Sequence, residues 1–225
     1  MSFFNFFRRK PKSSHKFVPD IQKMEQSIWT GPASSSPPVN DSGNDSGADI
    51  RRHFYNEPGF QCYASFFSFW QGWISAGHCL TDTKGLMPPF ATGELISWPG
   101  GLDAALMGCQ LPDRKPEGPI IGQRIIVKGF PAGSRTMETR YGHVYIERSA
   151  GSGTWIAHIE KPDEPVVTGM SGGPVVDADS GQPLGIIITR NSPADLNNDR
   201  DPDESCDFIA LSAVWEAVKR HQNIV

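Results

Sequence analysis

The sequence reads as an all-β protein, a barrel or sandwich of many short strands ending in a single helix. Three observations predict this class. The 225 residues hold 23 glycines and 19 prolines, so turns interrupt the chain often. Between them, apolar or alternating segments recur at near-regular spacing, the pattern of an antiparallel barrel or sandwich. Helical periodicity in the ordered domain is confined to its end.

In chain order, residues 1–18 form an aromatic and basic tail. Phe3, Phe4, Phe6 and Phe7 precede Arg8, Arg9, Lys10, Lys12 and Lys16, a pattern able to make weak contact with an anionic membrane surface. The charges follow the apolar patch, the reverse of a secretory signal, and no segment approaches the ~18 apolar residues of a membrane span. A cytoplasmic or virion-associated protein, or a mature fragment, is expected. Residues 19–29 read as a short helix: Asp20 caps it, Ile21, Met24, Ile28 and Trp29 share a face, and Gly31-Pro32 ends it. Residues 30–49, rich in Ser, Pro, Gly and Asp, are a linker.

The ordered domain is expected over 50–225. Ordered structure should resume near 50–60, and the apolar run 60–70 reads as a buried strand with 72–76 as hairpin partner. Further strands are expected at 95–98, 104–109, 123–129, 141–148, 154–160, 174–176 and 184–190. The closing helix is expected at 213–222: Ser212 caps it, Val214, Trp215 and Val218 form its apolar face, and Lys219, Arg220 and His221 lie at its negative end.

Composition excludes several functions. The net charge is −4 and the second half carries no basic stripe, so no nucleic-acid partner is expected. Four cysteines do not make a disulfide scaffold, and none has zinc-ligand spacing; no metal and no cofactor is expected. The run 195–204 has oxygen ligands at alternate positions, as a calcium loop would. Arg200 stands where such a loop needs glycine, and Cys206 where it needs glutamate, so it reads as a solvated acidic loop. His53, His143 and His158 lack partners at ligand spacing and read as structural.

The chemistry sits in Gly169-Met170-Ser171-Gly172-Gly173-Pro174. Acyl transfer needs a nucleophile on a tight backbone whose N–H groups face a developing oxyanion, and glycine permits that backbone. Ser171 is the candidate nucleophile, with the amides of Gly169 and Ser171 as oxyanion hole. A serine also needs a base, and the base a carboxylate that fixes its tautomer. His78 follows an apolar run that ends in Ser75-Ala76-Gly77, and Asp103 enters the apolar segment Ala104-Ala105-Leu106. The serine motif also fits G-x-S-x-G, but an α/β-hydrolase esterase needs a helix straight after the serine, then an acid and a histidine. Here Gly172-Gly173-Pro174 follows, and the only later histidine is His221.

In the order His, Asp, Ser, these contexts resemble the chymotrypsin-like (trypsin-like) serine peptidases, most closely the compact bacterial and viral members. Ile74-Ser75-Ala76-Gly77-His78-Cys79 is similar to the family's histidine box, Asp103-Ala104-Ala105-Leu106 to its aspartate box, and Gly169 to Pro174 to its serine box. Lys128-Gly129-Phe130-Pro131-Ala132-Gly133 is similar to a motif of the high-temperature-requirement and glutamyl endopeptidases. The resemblance covers about 60–218. It implies two six-stranded antiparallel β-barrels, at about 50–112 and 119–211, with a catalytic cleft between them. It also implies a serine endopeptidase acting on protein or peptide substrates, with His78, Asp103 and Ser171 as triad. A catalytically inactive fold of this type, serving as a protein-binding module, is the alternative.

Met170 stands where digestive members have the aspartate of their activation switch, so a hole formed without N-terminal processing is expected. Asp82 is a conceivable substitute acid, four residues from His78, too close in the chain to reach round to its ring. The resemblance places the substrate pocket at Pro165, Thr168, Ile188, Thr189 and Arg190. With no acid at its base, an apolar or small P1 residue is expected. Cys62 and Cys79 fall where the family often has a disulfide, and equally read as reduced, buried neighbours; Cys109 and Cys206 receive no role.

Overall fold

The computed structural model describes residues 48–57, 60–82, 87–161, 164–191 and 205–222. The chain divides into units Met1–Gly43 and Asn44–Val225, and every described residue belongs to the second. The expectations for the N-terminal tail, the 19–29 helix, nearly all of the linker and the acidic loop lie outside the described residues.

A first antiparallel sheet comprises β1 (Ile50–Glu57), β2 (Phe60–Phe69), β3 (Gly72–Ser75), β4 (Leu95–Ser97) and β5 (Ala105–Met107), in the order β1-β2-β3-β5-β4. Among the described residues this sheet has five strands. β2 and β3 form the expected hairpin, with Phe69 opposite Gly72. Its two-residue turn is Trp70-Gln71, whose φ values of 50° and 62° have the positive sign that type I′ hairpins require. Trp70 is buried in the core, and that burial offsets the left-handed backbone its ring would otherwise disfavour. A short helix, α1 (Gly77–Asp82), leaves the end of β3; the sequence offered no periodicity for so short an element.

The second half is a closed six-stranded barrel, as the resemblance implied. Its strands are β6 (Arg124–Gly129), β7 (Glu138–Glu147), β8 (Thr154–Ile159), β9 (Pro174–Asp177), β10 (Pro183–Asn191) and β11 (Ser205–Ala210), in the order β10-β11-β8-β7-β6-β9. β6 and β7 alternate buried and exposed residues, the signature of strands with one wet face. β11, which sequence reading passed over, is buried at every position. Its Ser-Cys-Asp-Phe-Ile-Ala composition hides it, because the buried carboxylate of Asp207 breaks the apolar pattern and is held there by Arg148.

The closing helix α2 (Leu211–Gln222) starts slightly earlier than expected. Leu211, Val214 and Val218 join Ile74, Leu106 and Met107 in one core, while Ile125, Val127, Val144, Met170 and Phe208 belong to a second core inside the closed barrel. The last element of the chain thus packs on the first sheet. Trp215 Nε1 donates to the carbonyl of Pro112 at 2.7 Å, tying α2 to the segment that leads into β6. Among the described residues no helix is long and apolar enough to cross a membrane.

Candidate functional site

His78 is the second residue of α1, and Asp103 lies between the 3-10 turn Pro99–Gly101 and β5. The carboxylate grips the histidine at two points: His78 N–H donates to Oδ1 at 2.8 Å, and Nδ1 lies 2.7 Å from Oδ2. This fixes both the ring and the backbone that carries it. The arrangement assigns the proton to Nδ1, so the neutral ring presents Nε2 as acceptor. Asp82 ends α1, and the carboxylate that reaches His78 is that of Asp103.

Cys79 supplies the contact at the other ring nitrogen. Its sulfur lies 3.6 Å from His78 Nε2 and 3.8 Å from the carbonyl oxygen of Ser171, so it touches both the histidine and the serine turn. Neither Cys62 nor Cys79 is in a disulfide. Cys62 Sγ faces the carbonyl of Cys79 at 4.0 Å. Burial would lower the pKa of His78, but the hydrogen bond it donates to Asp103 and the contact with Cys79 outweigh it and raise the pKa above the ordinary 6.5.

Ser171 lies on the turn before β9. Gly169 and Gly172 both have positive φ, 95° and 84°. A Cβ at Gly172 would lie 2.1 Å from Ser75 Oγ, and one at Gly169 2.6 Å from the amide of Ala132, so side chains are excluded at both. The turn is pinned by Ala132 N–H to Thr168 O at 2.7 Å, Met170 N–H to Val167 O at 3.1 Å, Gly173 N–H to Met170 O at 3.0 Å and Gly172 N–H to Ile187 O at 2.8 Å. In a planar trans peptide the N–H points away from the C=O. Anchoring Thr168 O and Met170 O therefore turns the amides of Gly169 and Ser171 away from those anchors, and neither donates to a backbone carbonyl among the described residues. Met170 is 0 % exposed, its side chain packed in the second core. The hydroxyl of Ser171 donates to Ile188 O at 3.3 Å.

Beside Ser171 lies a cavity of about 390 Å³ lined by Pro131, Ala132, Val166, Val167, Thr168, Ser171 and Thr189. Of the expected pocket residues, Thr168 and Thr189 line it. Pro165 does not: its carbonyl is held from behind by Arg140 Nε at 3.0 Å. Ile188 offers its carbonyl to Ser171, while its side chain packs on the first core; the side chain of Arg190 lies outside the described residues. Sequence reading missed Pro131, Ala132, Val166 and Val167 as wall residues. The Gly129-Phe130-Pro131-Ala132 motif was the available signal, since its Ala132 amide anchors Thr168.

The structure also gives the other histidines their surroundings. His53 meets the edges of Phe66 and Phe90, and burial lowers its pKa. His143 and His158, far apart in sequence, sit opposite each other on β7 and β8, with Tyr145 stacked on His158 at 4.3 Å.

No family model matches the chain, and no curated protein matches it. Solved structures do. The Rv3671c protease from M. tuberculosis in its active form is 16 % identical, with a TM-score of 0.51, over 78 % of this chain and 80 % of that one. A serine endoprotease from Yersinia pestis is 13 % identical, with a TM-score of 0.52, over 76 % of this chain; the chain spans 61 % of its length. The fold is the all-β, chymotrypsin-like fold of serine peptidases, with a closed six-stranded barrel, a second antiparallel sheet and a C-terminal helix.

Proposed function

We propose that the chain is a serine endopeptidase that cleaves peptide bonds through an acyl-enzyme. The observation that carries this reading is the two-point grip of Asp103 on His78 beside a glycine-bound serine turn. In the first half-reaction Ser171 Oγ attacks the substrate carbonyl carbon and its proton passes to His78 Nε2. The oxyanion is held by the amides of Gly169 and Ser171. The C–N bond then breaks, and the Nε2 proton leaves with the amine. In the second half-reaction water attacks the acyl carbon while His78 accepts its proton; the acyl–Oγ bond then breaks, Nε2 returns the proton to Ser171 Oγ, and the acid is released. To begin, the hydroxyl of Ser171 leaves Ile188 O and turns to Nε2.

The cavity beside Ser171 supports an apolar or small P1 residue: its walls are Pro131, Ala132, Val166 and Val167, with the two threonines as its other polar side chains beside Ser171. Arg140 is not a competing anchor for an acidic P1, because it is buried, bonded to Pro165 O, Thr139 O and the Glu138 carboxylate, and absent from the cavity lining. A peptide library in which basic P1 residues dominate would contradict this assignment.

The scaffold alternative has one observation in its favour. Ser171 is bonded to Ile188 O, and Nε2 meets a sulfur, so the nucleophile and base are not yet joined. Fluorophosphonate labelling separates the two readings. The peptidase reading expects Ser171 to be labelled, and the label to vanish in Ser171→Ala and His78→Ala. A folded chain that takes no label from neutral to alkaline pH is a binding module.

A further inference from the structure

Ser65 is a hydroxyl in the middle of an apolar strand. It is 0 % exposed, between Ala64 and Phe66-Phe67 of β2, where a hydroxyl is costly unless its hydrogen bonds are made. Here they are made largely to the closed barrel and the serine turn. Ser65 N–H donates to Ser171 O at 2.9 Å, and Ser65 Oγ donates to Gly169 O at 2.8 Å while accepting the Phe130 N–H at 2.8 Å. Its own carbonyl accepts the hydroxyl of Ser75, also fully buried, at 2.9 Å. One residue of the first sheet thus holds carbonyls on both sides of Met170 and the chain leaving β6.

We propose that Ser65 is a positioning residue for the Ser171 turn, its hydroxyl holding the Gly169–Met170 peptide so that the flanking amides stay aimed at a common oxyanion. This rests on the peptidase reading above. Three successive peptides decide where those amides point. The Thr168–Gly169 peptide is anchored by Ala132 N–H and the Met170–Ser171 peptide by Gly173 N–H. The Gly169–Met170 peptide between them has its carbonyl on Ser65 Oγ and its N–H on Val167 O. Gly169, with φ 95°, lacks the side chain that would resist rotation of this middle peptide. Without the Ser65 hydroxyl the peptide loses its carbonyl anchor, and the amides before and after it are free to diverge. Oxyanion stabilisation is sensitive to such changes, because donors act at the position the oxyanion will occupy.

The test compares the full chain with Ser65→Ala, Ser65→Cys and Ser75→Ala. The readouts are the rate of phosphonylation by an alkyl fluorophosphonate, the affinity for an aryl boronic acid, and the thermal midpoint. The boronate adduct puts an oxygen in the same hole and reads its geometry directly. Ser65→Ala should be labelled about 10- to 100-fold more slowly, with boronate affinity falling in parallel, as expected for misaligned donors. Ser65→Cys, similar in size with a weaker donor, should fall between it and the parent. Ser75→Ala, which touches neither carbonyl of the turn, should lose stability with much smaller changes in both rates and affinity.

A folded Ser65→Ala that labels and binds boronate within about twofold of the parent overturns the proposal. So does a loss that simply tracks thermal stability, equally large in Ser75→Ala. If Ser65→Ala does not fold, Ser65→Cys decides by the same criteria. A parent chain that is itself never labelled overturns the peptidase reading, an outcome distinct from any difference among the variants.

Discussion

His78 sits between two groups that both stabilise its charged form, Asp103 at Nδ1 and Cys79 at Nε2. A general base works only when unprotonated. With its pKa raised above 6.5, acylation should therefore gain rate as pH climbs through a midpoint above the ordinary imidazole range. Cys79→Ala removes one of the raising contacts, so its midpoint should move down and its activity at neutral pH should increase. A midpoint that stays or rises in the pH–rate profile contradicts the assignment. The same shift links charge to folding: the imidazolium favours the folded state fully below pH 6.5, and that contribution is lost as pH rises through the folded pKa. Asp103→Asn keeps the shape but disturbs the tautomer, and kcat should fall by about 10³- to 10⁴-fold; steady-state kinetics on a chromogenic ester check this. The residues of the proposed triad were legible as candidates because each sits in a motif with local chemical logic. Cys79 and Ser65 were not, since their roles depend on which strands and turns meet, and nothing in the sequence near either residue encodes that meeting.

At the scale of elements, the β2–β3 hairpin is closed by two residues that do not favour its backbone. Trp70 is anchored in the core, but Gln71 is exposed with φ 62°. Relief of a left-handed side-chain clash, about 1–2 kcal/mol, set against the extra flexibility of glycine, about 0.5–1 kcal/mol, leaves a net gain of about 0.5–1 kcal/mol for Gln71→Gly. Urea unfolding should show the midpoint rising with an unchanged slope. Strands such as β6 and β10 were readable from their β-branched composition, and the β2–β3 pair from its apolar run. β11 was not readable because a buried acid with a distant arginine partner looks like a loop residue in one dimension. The short α1 was missed because six residues carry too little periodicity to register, and the short span of β4 and β5 likewise made their bounds uncertain by a residue or two.

At the scale of the molecule, two cores meet where the serine turn is clamped on the first sheet, and the last helix of the chain completes the first of them. Leu211 is fully buried in that core, so Leu211→Ala should cost about 2–5 kcal/mol. The Lys115–Glu216 pair is exposed, and Lys115→Ala should change stability by less than about 1 kcal/mol. Denaturant titration of both variants checks the contrast, and a helix that could be weakened at Leu211 without loss would mean that α2 is not part of the core. Spacing alone predicted a barrel or sandwich; the division of the strands between a first sheet and a closed barrel was legible only through the three-motif resemblance, because strand partners across a closed barrel are set by register that a single sequence does not display.

The central claim is that Ser171 becomes acylated. The most direct test mixes the full chain with an activated ester of a small apolar acyl group, quenches in acid and measures the intact mass, then locates the adduct by peptide mapping. A single acyl group on Ser171, absent in Ser171→Ala and accumulating far more slowly in His78→Ala, is the predicted result. A folded chain that gains no acyl mass at any pH, or gains it on a residue other than Ser171, would contradict it.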